Sequence, residues 1–245
     1  MARLALLGLL ATSARGEGPL PPPGSAGWES LEFPSVQRAT EYREQSEDGS
    51  AVLHATSDCA ASALVLSLES VDLSHTPRLR WRWRVSRSPE VGDERSRAGD
   101  DFAARVYVMF PPDPESVGVL DRLRRKVAER WLGRPIPGRA INYVWSSREP
   151  AGAGWDNPYA PESRMVSLGR GPLQEWTEVE VDLQQDHRAI FGSDAPPPLA
   201  LAVMTDADDS CSRAEAWFAD LEFRGPEEGA PDVSPPAEIQ EPPVP

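Results

Sequence analysis

The chain has 245 residues, enough for one large domain, and carries 26 prolines, 40% hydrophobic residues and a formal net charge of −14. Nucleic acids and anionic membrane surfaces reward clustered Lys and Arg, so an excess of acid this large argues against both as partners. The last 21 residues contribute −5 and residues 1–27 contribute +1, which leaves −10 on the segment between them.

The chain opens on Met1-Ala2-Arg3, an apolar run from Leu4 to Ala11, and then Thr12-Ser13-Ala14. A basic start, a short apolar stretch and small residues at the end make a signal peptide over residues 1–14. The mature protein is then exported, to the periplasm or beyond the cell, and no later segment approaches the roughly 20 apolar residues of a membrane span. Residues 15–27 are rich in Pro and Gly and predict a flexible linker. The folded part is expected over residues 28–224, followed by an acidic, Pro-rich tail over 225–245 with too little apolar surface to fold.

Within residues 28–224, strand-like stretches recur between turn residues: Trp28 to Phe33, Val36 to Arg43, Ala51 to Thr56, Ala63 to Leu68, Leu79 to Val85 and Phe102 to Phe110. They resume at Ala140 to Ser146, Met165 to Leu168, Thr177 to Leu183, Leu199 to Thr205 and Ala214 to Phe223. The clearest has Leu79, Trp81, Trp83 and Val85 alternating with Arg78, Arg80, Arg82 and Arg84, so one face is core and the other wet. Trp81, Trp83 and Trp217 are expected in the core. Between strands, Val117, Leu120, Leu123, Val127 and Trp131 recur at helical spacing over Pro114 to Gly133, which predicts one inserted amphipathic helix with a basic face. A second short helical turn is predicted at Gln185 to Phe191. The fold class is all-β, an antiparallel, jelly-roll-like β-sandwich carrying that helix.

Two cysteines, Cys59 and Cys211, are compatible with one disulfide in an oxidising compartment, or with two small buried thiols. Acidic clusters occur where strands meet loops, at Asp100-Asp101 and at Asp206-Ala207-Asp208-Asp209-Ser210. Carboxylates at Asp206 and Asp208 resemble part of a calcium loop, although the spacing fails the EF-hand pattern; an Asp-rich turn capping its own backbone would use the same residues. Arg105 and Tyr107 share one strand face near the first cluster, where a guanidinium, a phenol and acids would suit a ligand with many hydroxyls. A structural Arg–Asp ion pair would look identical in sequence. Asn142 on a strand, and Trp155, Asn157 and Tyr159 in a loop, combine flat rings with amides, the pairing that covers and hydrogen-bonds a sugar. The three histidines are scattered and no nucleotide or nucleophile-elbow motif is present.

Taken in order, Leu79 to Val85, Gly99 to Phe110, Asn142 to Trp145, Asn157 to Tyr159, Phe191-Gly192, Ala202 to Asp208 and Ala216 to Phe223 resemble the bacterial family called domain of unknown function 3047. The resemblance implies an exported single-domain protein. It also implies characteristic polar positions at Asp100, Asp101, Arg105, Asn142, Asn157, Tyr159, Asp206, Asp208 and Asp220, with no catalytic role attached to any of them. The chain departs from that pattern at Asp209-Ser210-Cys211. Three functions compete: a non-catalytic module that binds a glycan or envelope polysaccharide, with calcium as the cation its acidic loop would take; an enzyme that cleaves or modifies polysaccharide with an Asp pair; and an envelope assembly factor that binds other proteins.

Overall fold

Thirteen strands, one α-helix and a 3-10 turn at Arg97–Gly99 form in the computed structural model, which describes residues 18–112, 138–160 and 162–226. In chain order they are β1 (Gly18–Pro19), β2 (Trp28–Glu32), β3 (Glu41–Glu47), β4 (Ser50–Asp58), β5 (Ser62–Ser67), β6 (Arg78–Arg87), β7 (Arg105–Phe110) and β8 (Arg139–Val144). There follow β9 (Gly154–Asp156), β10 (Ser163–Ser167), β11 (Thr177–Asp182), α1 (Leu183–Phe191), β12 (Ala200–Met204) and β13 (Arg213–Arg224). The inserted helix expected at Pro114 to Gly133 lies outside the described residues, as do the leader and the acidic tail.

Two sheets face each other. The first runs β11-β6-β13-β4-β3, with β1 also paired to β13, and the second runs β2-β5-β12-β7-β8-β10-β9. Strict alternation makes this possible: in β6, Leu79, Trp81, Trp83 and Val85 are buried while the arginines between them are half-buried. Trp81 meets Trp83 edge-on at 5.5 Å and Tyr143 of β8 at 5.9 Å, so the indoles bridge the sheets. Phe218 and Phe223 from β13 and Leu53 from β4 close on Val106, Val108 and Phe110 of β7 and Leu201 and Val203 of β12. Each large side chain buried this way contributes about 1.5–3 kcal/mol.

Trp217 is a correction to the core expectation. It shares parity with Glu215 on the outer face of β13, where its ring stacks on His54 at 4.5 Å and lies under Arg84 at 4.3 Å, while Ala216 and Phe218 point inward. This outer face is a ladder of cross-strand ion pairs: Arg78 with Glu180 (2.6 Å), Arg80 with Glu178 and with Glu222 (3.0 Å), Arg82 with Asp220 (2.6 Å) and Arg84 with Glu47 (2.6 Å). Exposed pairs of this kind contribute at most about 1 kcal/mol each.

Two further differences have simple causes. The strand expected at Val36 to Arg43 begins instead at Glu41, because β3 is an edge strand with mostly exposed side chains and so carries no apolar alternation. Among the described strands all pairings are antiparallel except β8 with β10, which run parallel because the connection between them crosses outward and returns through β9; an isolated bridge between Val85 and Leu173 is also parallel. The short helix starts at Asp182, whose side chain accepts from the Gln185 N–H at 2.8 Å, and ends at Gly192, whose φ of 73° only a residue without Cβ adopts at little cost. Cys59 and Cys211 form a disulfide between the β4–β5 turn and the β12–β13 connection, a sequence separation of 152.

Candidate functional site

The outer face of the second sheet is where polar residues accumulate. Alternation in β7 turns Val106, Val108 and Phe110 to the core and Arg105, Tyr107 and Met109 outward. Register sets their neighbours: Tyr107 lies between Ala202 and Asn142, Arg105 between Met204 and Val144, and Met109 between Ala200 and Ala140, which in turn faces Ser163. Two connections close over one end of this surface, the segment before β7 with Asp100 and Asp101, and the segment after β12 with Asp206, Asp208 and Asp209. Together they bound a cleft of about 830 Å³.

Arg105 organises it. At 1% exposure, its Nε donates to Asp206 Oδ1 at 2.8 Å, one Nη to Asp206 Oδ2 and to the Asp100 carbonyl, and the other to Asp100 Oδ1 and Tyr107 Oη, both at 3.3 Å. The bidentate fork is the geometry that a guanidinium and a carboxylate prefer. Asp206 Oδ1 also accepts the Phe102 N–H at 3.1 Å, and Thr205 Oγ1 donates to the Ala103 carbonyl at 2.7 Å, so the two connections are stitched together. Burial alone would lower Arg105, but attraction by Asp100 and Asp206 outweighs it and holds the guanidinium charged.

The remaining acids repel one another. Burial, reinforced by the neighbouring Asp209 and Asp101, pushes Asp100 up to about 6 against the pull of Arg105. Asp208 and Asp209 are likewise raised, first by burial and then by neighbouring carboxylates. Burial also pushes the Tyr107 phenol up to about 12, so it stays a neutral donor.

Of the residues singled out in the sequence, Asp100, Arg105, Tyr107, Asn157, Tyr159, Asp206 and Asp208 line this one cleft. Tyr159 is 52% exposed at its lip; Arg97 packs over its ring at 5.0 Å and its hydroxyl donates to Asp209. Asn157 turns inward: its Oδ1 accepts the N–H groups of Tyr159 (2.8 Å) and Ala160 (3.0 Å), and so shapes the loop that presents Tyr159.

Three residues are placed differently. Trp155 lies on β9, not in a loop, and is 9% exposed against Phe102, Val144 and Met165, so its ring is packing and not a stacking platform. Asn142 is on the same sheet face as Tyr107 but fully buried and outside the cleft lining, with its amide nitrogen 3.1 Å from Met165 Sδ. Asp101 turns away from the cleft, its oxygens accepting the N–H groups of Asp209 (3.1 Å) and Ser210 (2.6 Å). Carboxylate oxygens of Asp101, Asp206 and Asp208 come within 4.8 Å of one another, but Asp101 is occupied by backbone and Asp206 by Arg105, whose guanidinium supplies the counter-charge a cation would bring.

Sequence reasoning missed Glu162, Ser163 and the Phe33–Val36 segment, which also line the cleft, and named Asp209 only as part of the acidic cluster. Ser163 stood in the gap before a strand expected to begin at Met165, and Phe33–Val36 looked like ordinary strand ends.

The family profile described as "Protein of unknown function (DUF3047)" matches residues 26–222, which run from β2 to all but the last two residues of β13 and hold every described residue that lines the cleft. The chain belongs to this family. No curated protein sequence is similar to this DUF3047 chain. Among solved structures, it resembles a family 11 carbohydrate-binding module from Clostridium thermocellum in complex with a β-1,3-1,4-mixed-linked tetrasaccharide, at 11% identity and a TM-score of 0.42, over 87% of this chain and 98% of that one. It also resembles a family 30 carbohydrate-binding module of a C. thermocellum cellulosomal cellulase, at 13% identity and TM-score 0.43, over 86% and 95%. A family 12 xyloglucanase from Bacillus licheniformis aligns at 9% identity and TM-score 0.36, over 83% and 88%. These are likenesses of fold between sandwiches of similar size.

Proposed function

We propose that this DUF3047 protein is an exported, non-catalytic module that binds a glycan of the cell envelope in the cleft on the outer face of its second sheet. The observation that carries the reading is the buried lattice of Asp100, Arg105, Asp206 and Tyr107 beneath an open cleft of about 830 Å³. Such a lattice holds donors and acceptors in fixed directions before any ligand arrives, which suits a ligand recognised hydroxyl by hydroxyl. Met109, Met204, Phe33 and Val36 add apolar surface for sugar C–H groups, and Tyr159 stands exposed at the lip. The Cys59–Cys211 crosslink supports a location outside the reducing cytoplasm.

Binding is favoured over hydrolysis because Asp206 is held by Arg105 and Asp101 by backbone N–H groups. A glycosidase needs two reactive carboxyls about 5 to 9.5 Å apart, one of them protonated. The test is a glycan array followed by calorimetry on the best ligand. Tyr159→Ala should weaken binding about tenfold and the bound oligosaccharide should be recovered intact. Undiminished binding by that variant, or cleaved product, would overturn the reading.

A further inference from the structure

The charge around the cleft narrows the ligand class. Among the described residues its lining holds five carboxylates, from Asp100, Glu162, Asp206, Asp208 and Asp209, and two guanidiniums, from Arg105 and Arg139. Arg105 is already engaged by Asp100 and Asp206, and Arg139 packs over the Phe191 ring at 4.9 Å. That leaves Asp208, Asp209 and Glu162 at the open side of the site, where Asp209 accepts the Tyr159 hydroxyl and the pull of Arg105 and Arg97 on it is outweighed by burial and the neighbouring Asp101.

A second, independent feature points to a ligand. Ser163 lies in the cleft at 6% exposure, and its Oγ is buried with no hydrogen-bond partner among the described residues. A buried hydroxyl left without a partner is costly, so one that opens onto a cleft is a position for a ligand's polar group. Ser163 sits beside Ala140 in register, and both side chains are small enough to let a ligand come down to the sheet.

We infer that the cleft selects amine-bearing glycans, polymers of hexosamine lacking N-acetyl groups, with the ammonium groups set against Asp208, Asp209 and Glu162 and a hydroxyl on Ser163 Oγ. The inference rests on the glycan reading above and adds a sign of charge to it. Uronic acids and sulfated or phosphorylated sugars are repelled by the same carboxylates. Burial first and the neighbouring carboxylates second raise Asp100, Asp208 and Asp209, and an ammonium group set among them offsets the second of these effects.

The experiment is calorimetric titration of the full chain with a glucosamine oligomer, its N-acetylated counterpart, a galacturonate oligomer of equal length, and spermidine. The amine sugar should bind at least about tenfold more tightly than the N-acetylated one, and increasingly weakly as salt rises. Asp208→Asn, at a partly exposed position, should lower its affinity about threefold or more and leave circular dichroism unchanged; Ser163→Ala should weaken all sugars alike. Equal binding of the N-acetylated oligomer, or preference for galacturonate, overturns the charge selection while the glycan reading stands. Spermidine binding without any sugar binding overturns the glycan reading itself, and silence from all four ligands overturns both.

Discussion

Replacing Asp100 by Asn isolates what burial of this carboxyl costs the fold. The residue is 4% exposed and its carboxyl titrates at about 6 where 3.8 is ordinary, because burial outweighs the attraction of Arg105. Folding therefore holds a proton that the unfolded chain releases, and the contribution is fully present below the ordinary value and is lost as pH rises through about 6. At roughly 1.36 kcal/mol per pH unit the loss amounts to about 3 kcal/mol. Asn keeps the shape and a carbonyl that can accept from the Arg105 guanidinium, now 3.3 Å from Asp100 Oδ1, but it never ionises. The variant should match the wild type near about pH 4 and exceed it by up to about 3 kcal/mol near about pH 8. Urea unfolding of both proteins across that range, compared as a difference at each pH, cancels most other titrating groups. An Asn variant that is less stable than the wild type at the alkaline end would mean that the pair's attraction exceeds the cost of burial, and the reasoning would be wrong.

Other substitutions separate packing from surface. Reducing the Cys59–Cys211 bond should lower stability by about 2–5 kcal/mol, read from thermal melts with and without dithiothreitol; coincident melts would show that the crosslink contributes nothing. Trp155→Ala should cost about 3–5 kcal/mol because Phe102, Val144 and Met165 lose a partner, whereas Tyr159→Ala at the exposed lip should cost less than about 0.5. Urea midpoints in the reverse order would put the two rings in each other's roles. Arg84→Met removes the contacts to Glu47 and Trp217 yet should cost only about 1 kcal/mol, shrinking as salt is added; a salt-independent loss would mean that packing of the alkyl stem dominates.

The sandwich was legible in the sequence wherever one face of a strand is buried and the other wet. β6 shows this most plainly, because its indoles and guanidiniums alternate without a break. The same rule would have turned Trp217 outward, since it falls in step with Arg213 and Glu215 and out of step with Ala216 and Phe218. Composition, not parity, put it in the core. The alternation then breaks near Asp220, whose φ of 56° accompanies a register shift between Ala219 and Glu222, so no single period runs the length of β13. β3 left no signal because an exposed edge needs no apolar side, and the parallel β8–β10 pair left none because pairing partners 20 or so residues apart are not written in local periodicity.

For the cleft, the residue types were readable and the geometry was not. Asp100, Arg105 and Asp206 announced themselves as polar residues at strand ends, but the choice between a ligand array and an ion pair depends on contacts across 101 residues of chain. In the structure the ion pair is made, and it floors an open cleft. Trp155 and Asn142 are both buried for reasons of tertiary packing that local pattern does not carry: the Trp155 ring lies among Phe102, Val144 and Met165, and the Asn142 amide nitrogen lies on Met165 Sδ.

The crosslink between Cys59 and Cys211 has a bearing beyond stability. Cys211 stands two residues after Asp209, in the same connection that carries the cleft's exposed acids, and Cys59 stands where the chain passes from the first sheet to the second. The bond therefore fastens the cleft's rim to the corner of the scaffold. Backbone hydrogen bonds from the Cys59 N–H to the Ser212 carbonyl (2.9 Å) and from the Ala207 N–H to the Ala60 carbonyl (3.0 Å) tie the same two segments, so covalent and hydrogen-bonded links converge on one junction between the sheets.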